Sequence, residues 1–482
     1  MTTPSTGTPT ASPTASPTPP TASPAPLPGL PSPAHASTAP ASTLPVPAPA
    51  AAPTPAPAPA APVSSGRAGL RRRFARAAAA VDARTPADRD RAVDGLRALA
   101  LLAVPTGHWL LGGFTLDAGG ALRNASPLSS FGAFAPLSWV LQMLGVFFLV
   151  GGYASVLSYR RSLRRGRSAN AWLRGRVARL GRPVLGVTAV WGALVPVLYV
   201  IGVPATTLRT GSTLVIQPLW FVGVYTVITA LTPYCVRASR RLGAWAAAPL
   251  LVSVAVVDLL RYGPYAEAVP SWLGVLNILP GWMFAYQLGV SWGDRRLGRR
   301  GALVLLAAGA ALFALLLLVF DYPASMVGVP GEDRTNSHPP SLLVLALAAA
   351  QSGAAILLHD RIGRRLRRPA LWAPVVVVNL SAMTILCWHQ TAMFSAAAPA
   401  SLAAPLLGTV PGLTSAPDSL AWIAARLLWL PVFAVLLVVL ARRTRRFEEP
   451  WRTGGRAGWP LWAAGVLSAG FAVFAFGLIG TG

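Results

Sequence analysis

The chain has 482 residues, 54% of them hydrophobic and only 12% charged, a composition that excludes an ordinary soluble domain. Its formal net charge of +26 comes entirely from arginine, since the sequence contains no lysine. These arginines gather in short stretches between apolar runs of about 20 residues, so they mark membrane topology and not a nucleic-acid surface.

Residues 1–66 are almost wholly Pro, Ala, Ser and Thr, with no periodicity and nothing to build a core, which predicts a disordered tail. The tail lacks the basic start and central apolar run of a signal peptide. Residues 67–92 form a basic juxtamembrane segment, and Arg67–Ala80 suits a short helix at the membrane surface. Apolar segments then follow near 93–114, 135–158, 183–203, 217–234, 242–260, 272–292, 301–320, 341–358, 374–396, 419–440 and 459–480. The fold class is therefore an all-α polytopic membrane protein with about 10–11 transmembrane helices around an internal cavity. A ten-helix core over 93–440 is expected, followed at 441–482 by a basic loop and an additional C-terminal helix.

The loops set the orientation. Arginine blocks precede the first span and follow the second, fourth, sixth, eighth and tenth, whereas the alternate loops hold only Arg123, Arg209, Arg261 and Arg334. That alternation puts the N-terminus in the cytoplasm of a multi-pass plasma-membrane protein, with arginine blocks that attract anionic lipid headgroups. Cys235 and Cys387 lie at or within apolar segments and support neither a disulfide framework nor a metal site.

The first span carries Arg97 near its start and His108 deep inside. Eleven residues on an α-helix make about three turns plus roughly 20°, so both side chains share one face, about 16 Å apart. Counted from Asp94, His108 lies past the bilayer midplane. Ionisable groups in spanning helices usually face an interior cavity and mark a working site. The plainer alternative has Arg97 anchored among headgroups and His108 hydrogen-bonded to a neighbouring helix. Elsewhere, His389 sits in a span beside Trp388 and reads equally as a core histidine. His359-Asp360 reads as a capping or snorkelling pair. Arg426, about seven residues into its span, either snorkels or lines the cavity. Asp258 lies near an outer helix end, where a carboxylate reaches water cheaply. Trp220, Phe221, Phe147 and Phe148 read first as packing, and Gly151-Gly152 allows close approach of another backbone. The outer loop Asp321–Pro340, with His338, is either a lid over an external opening or a solvated turn.

Five segments in this order resemble the integral-membrane acyltransferase 3 family. Asp94-Gly-Leu-Arg97 followed by His108 is similar to its first-helix signature. Gly145-Val-Phe-Phe-Leu-Val-Gly-Gly-Tyr153 resembles its Phe-Phe-x-x-Ser-Gly element, with Gly151 in place of the serine and no acidic residue before the Phe pair. Trp172-Leu-Arg-Gly-Arg-Val-Ala-Arg-Leu-Gly-Arg-Pro183 resembles its Arg-x-x-Arg element, carried by Arg176 and Arg179, Pro218-Leu-Trp-Phe221 its Leu-Trp-Phe segment, and Ser381-Ala-Met-Thr-Ile-Leu-Cys-Trp-His389 its late Tyr/Trp-x-His segment. The resemblance runs from about residue 90 to 440. It implies transfer of an acyl group, often acetyl, from cytoplasmic acyl-coenzyme A to a hydroxyl of a carbohydrate, lipid, cell-envelope or small-metabolite acceptor. No metal or nucleic acid enters that chemistry, and no protein partner is readable in the chain. Arg97, Arg176 and Arg179 would hold the coenzyme A phosphates, because guanidinium binds phosphate oxygens bidentately. His108 would act as general base or, less economically, carry the acyl group itself. The rival reading is a secondary transporter using His108 and Arg97 for proton coupling or anion binding, although no internal repeat supports it.

Overall fold

The computed structural model describes residues 66–264, 266–330, 334–445 and 462–471. The expected disordered tail and most of the last apolar segment lie outside these residues. Among the described residues the chain is helical apart from one short hairpin. Helix α1 (Gly66–Ala83) precedes α2 (Arg91–Leu111), whose N-terminus is capped by Asp90 accepting from Val93 N–H at 3.1 Å. Strands β1 (Gly113–Leu116) and β2 (Leu122–Ala125) then pair antiparallel.

Fourteen α-helices are described between Arg91 and Thr444, besides short 3-10 turns. They are α2, α3 (Ala135–Leu141), α4 (Leu144–Arg164), α5 (Ala169–Val200), α6 (Ala205–Ile216), α7 (Leu219–Ala230) and α8 (Thr232–Leu242). After them come α9 (Ala248–Tyr262), α10 (Ile278–Gly293), α11 (Arg299–Leu318), α12 (Leu342–Arg365), α13 (Pro369–Leu380), α14 (Ala382–Leu407) and α15 (Leu420–Thr444).

Eight helical segments in the described residues are long and apolar enough to cross a membrane. A ninth arises if α13 and α14, bent by 75° at Ser381, form one broken span. The predicted first span is present as α2, about 31 Å long. Arg91, Asp94 and Arg97 crowd its first two turns, and it is not among the eight. It also stops at Leu111, short of the expected Phe114, because the Gly112-Gly113 pair turns extended and the apolar residues Phe114 and Leu116 enter the hairpin instead. The hairpin loop is held by Asp117, which accepts from Gly119 N–H and Ala121 N–H, and by Gly120 at φ +77°. Of the predicted last span only Trp462–Phe471 lies among the described residues, a ten-residue apolar helix whose Ser468 is 2.9 Å from the Thr188 hydroxyl of α5.

Tight packing around α2 depends on glycine. A Cβ on Gly152 of α4 would stand 2.1 Å from Tyr286 O of α10, and one on Gly289 of α10 would stand 1.9 Å from Leu149 O of α4. The two backbones therefore touch, as the Gly151-Gly152 pair suggested. Gly309 and Gly353 do the same for α11 and α12.

Contacts sort the loops to two ends. At the arginine-rich end Arg160 pairs with Asp294, Arg161 with Asp88, Arg91 with Asp82 and His359 with Asp90. At the hairpin end Leu122 N–H donates to Thr207, Trp139 to Ala324 O, Gln142 to Ser337 and Leu342 N–H to Asp258.

Candidate active site

His108 occupies the last turn of α2, and α14 brings His389 and Gln390 against it. His108 Nδ1 lies 3.2 Å from His389 Nε2 and 2.6 Å from the Gln390 amide nitrogen, with the imidazole centroids 5.0 Å apart. His389 is fully buried, and its Nδ1 donates to the carbonyls of Ile385 and Leu386 at 3.0 and 2.9 Å. Trp109, next to His108, donates its indole N–H to His389 O at 3.0 Å. The pair is thus fixed from both helices. Neither histidine faces lipid alone, and the two candidates spaced 281 residues apart form one unit.

His108 and Gln390 line a cavity of about 300 Å³ toward the hairpin end. Its remaining polar wall comes from Asn124 and Ser126 of the hairpin, Gln142, Gln217, Thr335, Ser337 and His338, and its aromatic wall from Trp220 and Phe221. The described part of the Asp321–Pro340 loop is therefore a wall of this cavity and not merely a solvated turn. Its anchors are Met326 N–H on Ser138, Asn336 on Pro323 O and Ser325 O, and Ser337 on Met326 O. His338 stands edge-on to Trp220 at 4.8 Å, and burial pushes its imidazole below the ordinary pKa.

Arg97, three turns below on the same helix, donates to Asp94 at 2.9 Å, and Arg89 grips the same carboxylate with two nitrogens. Arg176 of α5 lies within electrostatic reach of both Arg97 and Arg179, and so does Tyr225. Arg176 donates to Ser158 at 2.6 Å and Ser155 at 3.3 Å over the Trp172 ring, while its Nε is buried without a partner. Arg179 is exposed and reaches only Gly175 O. Tyr225 also explains Gly151. A Cβ there would stand 2.8–2.9 Å from the tyrosine ring and hydroxyl, so the tyrosine fills the space a serine side chain would need.

Between the arginines and the imidazoles α2 offers Ala100, Leu101, Val104 and Pro105. The space beside them is a void of only about 20 Å³, closed by Phe147, Phe221, Leu144 and Leu386. Pro105 leaves the Leu101 carbonyl without its helical donor, which loosens α2 at this level. Phe147 and Phe221 pack edge-to-face at 5.1 Å and close this void, whereas Phe148 is fully buried and stacked on Trp282.

Three other residues stand elsewhere than expected. Arg426 neither snorkels nor lines the cavity. It is fully buried, donating to Trp109 O at 2.6 Å, Gly112 O at 2.6 Å and Gly412 O at 2.9 Å, between the rings of Trp422 and Phe433. The carbonyls at the end of α2 are the negative pole of that helix, which is why a cation is tolerated there. Asp258 is buried and not solvated, because Asn277, Tyr322 and Leu342 N–H converge on it. His359 does not simply cap its helix: it bridges Asp90, the cap of α2, and Asp360. No group of three or more metal-ligating side chains occurs among the described residues.

Eight helices long and apolar enough to span, packed around a helix with two ionisable stations, are consistent with a polytopic membrane protein. The chain belongs to the acyltransferase 3 family: residues 90–441, well over half its length, match the family model described as an acyltransferase domain. It is thus a member of a family of membrane acyltransferases. No curated protein and no solved structure matches it.

Proposed function

We propose that the protein moves an acyl group, acetyl in the first instance, from cytosolic acyl-coenzyme A to a hydroxyl of an acceptor held in the hairpin-end cavity. The observation that carries this reading is the cavity wall: His108 faces it alongside neutral hydrogen-bonding side chains, with guanidinium groups gathered at the other end of the same helix. In this reading the arginine-rich end is cytoplasmic, the membrane is the plasma membrane, and residues 93–440 form the catalytic core. Arg97, Arg176 and Arg179 hold the donor's phosphates, and the unpartnered Nε of Arg176 is a ready donor for one of their oxygens. The uncharged pantetheine arm runs along α2 and displaces Phe147 and Phe221 from the narrow void, which delivers the thioester to His108.

His108 removes the acceptor's hydroxyl proton as that oxygen attacks the thioester carbon. The new C–O bond forms, the C–S bond breaks, and the proton passes to the departing thiolate. The acceptor class follows from the neutral wall: a hydroxylated compound of carbohydrate, lipid or metabolite type, without a counter-charge requirement.

The test is transfer of labelled acetyl from acetyl-coenzyme A in purified membranes. His108→Ala should lower kcat by about 10²–10⁴-fold with donor binding retained. Arg97→Ala should instead raise the donor KM. Full activity in both variants overturns the assignment.

A further inference from the structure

The hydrogen bonds around His108 pose a question of proton placement that the surroundings answer. Both contacts of His389 Nδ1 are carbonyl oxygens, those of Ile385 and Leu386. A carbonyl only accepts, so Nδ1 carries a proton and a neutral His389 keeps its lone pair on Nε2. That lone pair faces His108 Nδ1 at 3.2 Å. If His108 Nδ1 were also bare, two lone pairs would oppose each other at 3.2 Å. If His389 were protonated, its charge would be fully buried with no carboxylate among its hydrogen-bond partners. A proton on His108 Nδ1 removes both conflicts.

We propose that His389 is a positioning residue that sets the tautomer of His108, so that His108 Nδ1–H donates to His389 Nε2 and the bare Nε2 of His108 is the atom presented to the acceptor. His108 Nε2 has no hydrogen-bond partner among the described residues, and the ring lines the cavity. Gln390 fits the same scheme. Its amide sits 2.6 Å from His108 Nδ1 with the nitrogen nearest, while its oxygen is buried without a partner. Amide oxygen and nitrogen exchange places by a half-turn about the last torsion. Turned so, the Gln390 oxygen shares the Nδ1 proton and reinforces the tautomer.

The consequence for the reaction is specific. The proton taken from the hydroxyl arrives on His108 Nε2, the Nδ1 proton stays in place throughout, and the imidazolium formed is stabilised through its Nδ1–H by a neutral acceptor. The ring then returns the Nε2 proton to the thiolate and is neutral again. This rests on the reading of His108 as the base, but the tautomer itself is observable without any turnover.

The experiment is ¹⁵N magnetic resonance of the full chain carrying ¹⁵N-labelled histidine, of which there are five. His108 signals are assigned by their loss in His108→Gln. At neutral pH the expected spectrum has His108 Nδ1 protonated and Nε2 bare. The opposite tautomer, or an equal mixture, overturns the proposal whatever the activity. In the second arm His389→Ala should lower kcat by about 100-fold with the donor KM unchanged, because the wrong tautomer then becomes accessible. His389→Gln, whose amide oxygen still accepts from Nδ1–H, should recover most of that loss and keep the wild-type His108 spectrum. Equal loss in both variants would mean that His389 serves only to fill space. A wild-type protein with the expected tautomer but no transfer from acetyl-coenzyme A would sink the base reading and leave the tautomer standing.

Discussion

The two ends of α2 hold their ionisable groups in opposite ways. Around Arg97 the partners are charged: Arg89 and Arg97 share Asp94, Arg91 meets Asp82, and Asp90 meets His359. Around His108 the partners are neutral, an imidazole, an amide and an indole-bonded carbonyl. The cation Arg426 stands behind Trp109 and is satisfied by backbone carbonyls. At the arginine-rich end charge is met by opposite charge, whereas at the other end the histidines and the buried Arg426 are settled by neutral hydrogen-bonding groups. The anionic donor and neutral acceptor proposed above would call for such a division. Between Arg97 and Thr106 the helix carries only apolar side chains, Pro105 among them.

The largest expected break in this pattern comes from Arg426→Met. Removing the guanidinium leaves the carbonyls of Trp109, Gly112 and Gly412 without donors in a buried place. One such orphan costs roughly 1–3 kcal/mol, so a loss of about 3 kcal/mol or more is expected, read as a large fall in Tm in detergent. Because the end of α2 carries His108, the surviving folded fraction should also show reduced kcat. An unchanged Tm would mean that the carbonyls find water and that the neutral end is less dry than described.

How much of this was legible before the structure depends on where each partner comes from. The Arg97–His108 stripe needs only helical geometry, so spacing revealed it. The alternating arginine loops revealed the two ends in the same way. His389 can be named from its Trp-His segment, but its place against His108 is a tertiary fact, and nothing in the sequence marks the neighbouring Gln390 as a second partner of that imidazole. Asp258 was misjudged because its partners come from three distant segments, and Arg426 could not be decided because backbone carbonyls leave no mark in a sequence. Phe114 and Leu116 continue an apolar run, so the hairpin was hidden inside the first span.

A milder probe sharpens the charged side. Arg176→Ala removes a guanidinium whose Nε has no protein partner while leaving Ser155 and Ser158 where water can replace it. A hydrogen bond to an ionised phosphate contributes about 1.5–3 kcal/mol, so the donor KM should rise about 10-fold or more, with kcat little changed. Raised salt should weaken donor binding in the wild type and do so less in the variant. An effect on kcat alone, with no change in KM or salt response, would place Arg176 with the neutral end and dissolve the contrast.

The smallest effect belongs to Asp90, which caps α2 and also accepts from the Tyr153 hydroxyl at 2.9 Å and from His359 at 3.0 Å. Burial opposes its charge, yet the hydrogen bonds from His359, Val93 N–H and Tyr153 hold the carboxyl below the usual range. A carboxyl depressed in the folded state stabilises above its unfolded pKa, about 4, and that contribution is lost as pH falls through the lower folded value. Asp90→Asn keeps a capping oxygen but gives up the charge-assisted bond to His359. The site is partly exposed, so the expected loss is about 1 kcal/mol at pH 7, shrinking toward pH 3 as the wild type loses the same interaction. Thermal melts of both proteins across that range decide it. Parallel curves would show that α2 is anchored by its packing against α4 and α12, with the charged end contributing ligand binding but not the helix's position.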